Sequence, residues 1–361
     1  MTVVDHSILV DCMKDPAFYP HKVEAVEFVQ THISSVFLTG TYAYKLKKPV
    51  NFGFLDFTTP QLRRECCEKE LELNRRLAPS VYLRVEPVTV EDGRPKLNGS
   101  GPVVDWVVVM RQLDQSLLGP RVLERGELTV GKIESVVDTL VPFYRTAKTG
   151  PGIDEFGSIS TVKFNTDENF EQTAGYVGVA IPRTRHDEIR SFTDSFYQEK
   201  EGLFQRRISQ GWIRECHGDL HLGNIFFEDP PVIFDCIEFN ERFRCSDVAV
   251  DLAFLVMDLD FQGEGELARR VRDRYVERSA DTDFLELVDF YCCYRAYVRG
   301  KIACFTSADP ALGEAAQKQQ LELARRYFDL AHDYATEGGH GFATEGGHGF
   351  ATEGGHGRDA S

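Results

Sequence analysis

Apolar positions in the first third of the chain recur with two different periods. Over residues 20–32, Val23, Val26 and Val29 or Phe28 fall about three apart, the spacing of a short amphipathic helix with those side chains inward. Residues 35–38 and 42–47 then read as strands on either side of Thr39-Gly40-Thr41, a glycine-containing turn. Residues 61–77 return to helical spacing. Three further strands are expected at 82–90, 95–97 and 103–110, with Glu91-Asp92-Gly93-Arg94 as an Asp-Gly hairpin turn. The run Val107-Val108-Val109-Met110 has the character of a buried strand, and it leads directly into polar Arg111-Gln112.

Beyond that point helical spacing dominates: residues 129–148, 166–176 and 182–208, with Gly150-Pro151-Gly152 as a break after the first. Two short apolar runs, 225–227 and 232–234, flank Glu228-Asp229-Pro230-Pro231 and predict a tight hairpin. Residues 247–254 open a helix with acids in its first turn, and helices follow at 264–280, 284–305 and 310–335. In the last, Leu321, Ala324, Phe328 and Ala331 form a core stripe. The pattern predicts an α+β protein of two lobes. A small antiparallel-sheet lobe covers 1–112 and a large helical lobe 113–335. Residues 336–361 repeat a Gly- and His-rich unit three times, the last incompletely, and are expected to be a disordered tail; His340, His348 and His356 offer at most weak metal binding.

Composition narrows the classes of function. The 361 residues are 42% hydrophobic and 27% charged, as in an ordinary globular chain. A net charge of −16 excludes general nucleic-acid binding, which needs a basic footprint. The nine cysteines show no CxxC pair, and Cys66-Cys67 and Cys292-Cys293 fall inside helical segments, which fits a reduced, cytoplasmic chain. Neither a signal peptide nor a membrane-length apolar run is legible, and no obligate protein partner is evident.

The chemistry concentrates at Cys216-His217-Gly218-Asp219-Leu220-His221-Leu222-Gly223-Asn224 and at Phe234-Asp235-Cys236-Ile237-Glu238. Phosphoryl transfer from ATP requires a carboxylate to receive the hydroxyl proton, and oxygen ligands for Mg²⁺. Asp219 suits the first role. Asn224 and Asp235, brought together by the hairpin, suit the second. Glu238 is expected either as a second metal contact or as a wall of the acceptor pocket. His217 fits a structural role in shaping the loop, whereas His221 is placed to reach toward the γ-phosphate. Strand alternation puts Ala43, Lys45 and Lys47 on one face. Small Ala43 leaves room for adenine two residues before Lys45, the preferred phosphate lysine, with Lys47 as the alternative because it leads into Lys48-Pro49 and toward solvent. Among Glu65, Glu68, Glu70 and Glu72, Glu70 is the preferred lysine partner, since Leu73 and Leu77 share its stripe. Met110 and Gln112 mark the hinge expected to meet adenine. Arg295 and Arg299, four residues apart, suggest a phosphate contact or, preferably, pairing with Asp247 or Asp251. Which of Asp154, Glu155, Asp167 and Glu168 faces the acceptor is open.

The loop 217–224 resembles the catalytic loop of the aminoglycoside phosphotransferase and choline kinase superfamily, whose fold is protein-kinase-like. Residues 38–50, 54–57, 70–79 and 234–240 are more specifically similar to a bacterial branch of it, and the resemblance covers roughly residues 20–305. It implies an ATP- and Mg²⁺-dependent phosphotransferase acting on a hydroxyl of a small molecule such as an aminoglycoside or amino sugar. It also implies that a loop before the lysine strand covers the phosphates and that the inserted helices form the acceptor pocket. Members of that branch often carry a C-terminal P-loop kinase domain. Thr129-Val130-Gly131-Lys132 lacks the glycine spacing of such a loop, and the Gly-His repeat stands where the domain would follow. A nucleotide-binding regulatory domain without catalysis, or AMP transfer to a protein, are the alternatives; Lys45, Asp219, Asn224 and Asp235 all being present argues against the first.

Overall fold

A computed structural model describes residues 5–337. Six strands, β1 (Glu27–Gln30), β2 (Ser34–Leu38), β3 (Tyr42–Lys47), β4 (Tyr82–Glu91), β5 (Arg94–Leu97) and β6 (Val103–Arg111), form one antiparallel sheet in the order β1-β2-β3-β6-β4-β5. Alternation along β3 sorts its side chains cleanly. Tyr44 and Leu46 join Val107 and Val109 on one face, where the helix His6–Met13 covers them with Leu9, Val10 and Met13. Ala43 joins Val108 and Met110 on the other, against Cys67 of the helix Pro60–Asn74 and Phe226 and Val232 of the second lobe. Lys45 and Lys47 share this second face, so they point between sheet, helix and helical lobe.

The helical lobe has one large core. Its spine is the helix Val248–Phe261, in which twelve of fourteen residues are buried. A helix apolar on every side must run through the middle of its domain, so Asp251 and Asp258, buried on it, need internal partners. The helices Phe284–Ser307 and Glu314–Glu337 pack together, with Gly300 directly beneath the Phe328 ring. The hairpin Ile225–Phe226/Val232–Ile233 forms as expected. No helix among the described residues is long and apolar enough to cross a membrane, and their cysteines are all free.

Several expectations are corrected. Residues 20–32 are not helical; Glu27–Gln30 is a strand pairing with β2, with Phe28 opposite Phe37 at 5.1 Å between rings. Valine is at home in strands, and three apolar positions a few residues apart fit either period. The helix His6–Met13, capped by Asp5, was not anticipated. The segment expected as one helix at 182–208 is two, Arg183–Glu199 and Glu201–Ser209, broken at Lys200. The last helix begins at Glu314, not at Pro310, and runs to Glu337, so the first two residues assigned to the tail are helical. The rest of the tail lies outside the described residues.

Candidate active site

The strand pair Ile213–Glu215 and Cys245–Asp247 delivers the chain to the loop that follows Cys216. That loop is fastened to the spine helix by its buried acids. Asp251 accepts the amides of His217 (2.9 Å) and Gly218 (2.7 Å) and the Tyr144 hydroxyl (3.1 Å). Asp258, two turns further along the same face, accepts the Leu222 amide at 2.9 Å. Gly218 has φ +88° and passes so close to the chain that a Cβ would stand 2.7 Å from the Phe243 carbonyl, so only glycine fits.

His217 is the structural hydrogen-bonder expected of it. Its Nε2 donates to the Phe234 carbonyl (2.9 Å) and its Nδ1 accepts the Asp219 amide (3.3 Å), while burial pushes its pKa down, so the ring is neutral. His221 accepts the Gly223 amide at Nδ1 (3.0 Å), which leaves the proton on Nε2, 3.4 Å from Asp219 Oδ2. Burial alone would lower the His221 pKa, but the Asp219 charge outweighs it and the net shift is upward. The same pairing works in reverse on Asp219. Burial would raise its carboxyl, yet His221 first, and Arg299 after it, hold it well below the usual range. Asn224 turns its Nδ2 onto Asp219, 2.9 Å from the carbonyl and 3.1 Å from Oδ2, leaving its own Oδ1 as the free oxygen.

Across the cleft a chain of alternating charges runs Asp235–Lys45–Glu70–Lys47–Glu238. Lys45 Nζ lies 2.6 Å from Asp235 and 2.8 Å from Glu70; Lys47 Nζ lies 2.7 Å from Glu70 and 2.5 Å from Glu238. Glu70 is the partner glutamate, as its leucine stripe suggested, but it serves both lysines. Burial opposes every charge here, and contact with the opposite sign overrides it: both ammonium pKa values rise and that of Glu70 falls. The expectation that Lys47 drifts toward solvent is wrong, since its side chain is fully buried. Strand alternation governs at residue 47, because the helix Pro60–Asn74 and the loop at Glu238 cover the end of β3. Glu238 is held by Lys47 and by the Cys66 thiol at 3.3 Å, so its carboxylate is committed to the protein.

Asp235 sits at φ +63°, a left-handed conformation rarely taken by residues other than glycine. Its amide donates to the Tyr82 hydroxyl (3.2 Å) and the next amide, of Cys236, to Asn74 Oδ1 (2.8 Å). Beside them Arg76 grips the Cys216 carbonyl (3.0 Å) and the Glu215 carbonyl (2.8 Å), so the end of the Pro60–Asn74 helix is latched to the helical lobe. Magnesium is a hard cation that takes one or two carboxylates and completes its shell with phosphates and water. Asn224 Oδ1 and the half-exposed Asp235 carboxylate are oxygen donors of that kind, and the residues present fit the ion. Among the described residues no cluster of three or more His, Cys, Asp or Glu is arranged to hold a metal unaided.

The remaining assignments fall out less evenly. Met110 is buried in an apolar cluster with Ala43, Leu38, Phe226 and Val232. Gln112 pins the turn before β3: its backbone N–H donates to the Thr41 carbonyl (3.0 Å) and its side-chain oxygen accepts the Gly40 amide (2.8 Å), so its backbone N–H is not open to adenine. Arg295 and Arg299 do not pair with Asp247 or Asp251. Asp247 is taken by Arg207 and Asp251 by the loop. Of the four inserted-helix acids, Glu168 pairs with Arg242, Asp167 with Lys163, and Asp154 accepts the Gly150 amide. The contacts by which Asn74, Arg76, Asp251 and Asp258 hold the loop escaped the sequence reading, in which Asp251 is only an arginine partner. The signal for the two aspartates was present, as acids inside a run too apolar to be a surface helix.

The model of the phosphotransferase enzyme family matches residues 205–287, which span the loop, the hairpin and the spine helix. An uncharacterized protein of Mycobacterium tuberculosis is 33% identical over 280 residues, covering 77% of this chain and 55% of its own. The chain thus spans about half the length of the curated relatives it matches. Among solved structures, a GDP complex of aminoglycoside 2'-phosphotransferase-IIIa superposes with a TM-score of 0.52 at 14% identity, over 90% of this chain and 99% of that one. A choline/ethanolamine kinase family protein from Mesorhizobium loti gives 0.51 at 13% identity, over 91% and 99%.

Proposed function

Because the chain belongs to the aminoglycoside phosphotransferase and choline kinase-like superfamily, we propose that it transfers the γ-phosphoryl group of ATP to a hydroxyl of a small molecule. The observation that carries this reading is the position of Lys45 Nζ, 2.8 Å from Glu70 and 2.6 Å from Asp235, which sets a phosphate-binding cation beside a magnesium carboxylate. Asp219 orients the acceptor hydroxyl. A carboxylate held this low does not strip an alcohol in the ground state; it takes the proton as the new bond forms. The oxygen–Pγ bond to the acceptor forms, the bridging Pγ–O bond of the nucleotide breaks, and the charge gathered on the leaving diphosphate is met by Lys45. The His221 Nε2–H and the Asn224 Nδ2–H both meet Oδ2 of Asp219 and keep the carboxylate aimed. Bound Mg²⁺, held by Asn224 and Asp235, would supply charge neutralisation at the phosphates. Ala43, Leu38, Met110 and Phe226 form the apolar cluster against which adenine would pack in this reading.

The test is release of nucleoside diphosphate by the purified chain, with ATP and GTP in parallel, against hydroxyl acceptors that include amino sugars, aminoglycosides and sugar acids. Acceptor-dependent release that disappears in Asp219→Asn supports the reading. Release independent of any acceptor and indifferent to Asp219→Asn overturns it.

A further inference from the structure

Five arginines are buried: Arg63, Arg207, Arg244, Arg272 and Arg295. The first four each meet a carboxylate, Asp105, Asp247 with Asp281, Glu215, and Asp289 respectively. Arg295 meets none within 4 Å among the described residues. Its Nε donates to the Val250 carbonyl at 3.3 Å, and its guanidinium lies 4.7 Å over the Phe254 ring. The Phe254 ring in turn lies against His221, at 5.3 Å between ring centres. Arg299, one turn along the same helix, has no carboxylate within 4 Å among the described residues, and its Nε donates to the Tyr327 hydroxyl at 3.4 Å. It stacks at 5.5 Å on Tyr327, and its charge is felt by Asp219, His221 and Asp258.

Among the described residues, two guanidiniums therefore stand without an ion pair beside the loop 217–224, Arg299 feeling Asp219 and Asp258 only beyond 4 Å, in a protein whose net charge is −16. A buried cation left unpaired is costly, and a fold that neutralises four of five buried arginines internally has left this one to be neutralised from outside. A cationic acceptor would add its own charge to theirs, whereas a carboxylate or phosphate would take the bidentate contacts that arginine provides. We propose that Arg295 and Arg299 bind an anionic oxyanion group on the acceptor, so that the molecule phosphorylated is a hydroxylated acid or phosphate ester and not an amino sugar. This inference rests on the phosphotransferase reading for the identity of the acceptor, while the anion site itself rests only on the two arginines.

Two measurements on the full chain separate the two readings. The first is calorimetric binding of D-gluconate, D-glucuronate, 6-phosphogluconate and D-glucosamine to protein saturated with Mg²⁺ and a non-hydrolysable ATP analogue. The second is diphosphate release with the same compounds and ATP. The wild-type protein is expected to favour the acids over glucosamine at least tenfold in affinity and in kcat/KM. Arg295→Gln and Arg299→Gln are each expected to reduce that preference at least tenfold, mainly through KM, and Arg295→Lys to restore part of it. The ratio between gluconate and 6-phosphogluconate tells carboxylate from phosphate. Preference for glucosamine, or an acid preference that survives both Gln variants, overturns the inference. Equal loss of kcat with all four compounds at unchanged KM also overturns it, by assigning the arginines to the transferred phosphoryl group. Arg-dependent binding of acids without any turnover leaves the anion site standing and removes the phosphotransferase reading instead.

Discussion

The two walls of the cleft treat buried charge in opposite ways. On the sheet side, Lys45 and Lys47 are enclosed with three carboxylates, and each ammonium has two of them within 2.8 Å. On the helical side, Arg295 and Arg299 approach the catalytic loop with aromatic rings and a carbonyl for company. Desolvation penalises both sets. The first is compensated inside the protein and is ordered before anything binds. The second is compensated by aromatic faces only in part, which leaves attraction available for an incoming group. In the proposed phosphotransfer reading the site uses both devices: a fixed cation for the nucleotide and an open one for the discriminating contact with the acceptor.

The largest effect should come where the two walls meet. Asp219→Asn is expected to lower turnover of an identified acceptor by about 10²–10⁴-fold while nucleotide affinity stays within a few-fold, since its carboxylate acts on the acceptor proton. Steady-state kinetics beside nucleotide titration checks it, and near-normal turnover would remove Asp219 as the base. On the closed wall, Lys47→Ala leaves Glu70 and Glu238 buried with one partner fewer, and should destabilise the fold by about 3–5 kcal/mol. Lys45→Ala also takes one partner from Glu70 but otherwise uncovers only the half-exposed Asp235, which can be rehydrated, so it should destabilise less than Lys47→Ala and act mainly on kcat/KM. Denaturant unfolding of both variants decides this; equal stability losses would mean the network behaves as one unit.

The contrast sharpens between arginines. Arg207→Met strands Asp247 and Asp281 and is expected to cost about 3–5 kcal/mol, whereas Arg295→Met strands no carboxylate and should cost under about 1 kcal/mol. Similar losses in chemical denaturation would show that Arg295 is neutralised within the fold after all. The smallest effect concerns Lys301, which touches the neutral oxygens of Asn169 (2.6 Å) and Gln172 (2.9 Å). Burial, opposed by Glu168 and reinforced by Arg242, lowers its pKa to about 8. Because the folded value is the lower one, the unfolded chain holds the extra proton between about pH 8 and 10.5, and this group makes stability rise with pH across that window. Lys301→Met should flatten the rise by about 1–3 kcal/mol; an unchanged slope would mean the ammonium is solvated in the fold.

What could be read beforehand follows how local each cause is. Asp219, Asn224 and Asp235 were legible because their spacing along one loop and one hairpin is itself the geometry. Glu70 was legible from its leucine stripe, yet its second lysine was not, since the burial of Lys47 depends on how Glu238 and the Pro60–Asn74 helix close over the strand end. The same holds for Asp251, whose partners lie more than thirty residues upstream. The strand at Glu27–Gln30 was misread for the complementary reason: a few valines carry either period, and pairing with β2 decides between them.

The attachment of the catalytic loop to the spine helix has a consequence for how the protein breathes. Loops ordinarily exchange their amide hydrogens through small local openings, independently of the core. Here the amides of His217, Gly218 and Leu222 are donors to Asp251 and Asp258, on a helix buried along nearly its whole length. Releasing them means either dragging two carboxylates out of the core or parting from them inside it. The irregular segment 217–224, proposed to perform the chemistry, should therefore exchange as slowly as the helix behind it and open in the same cooperative unit, so its geometry would be lost only when the helical lobe itself unfolds.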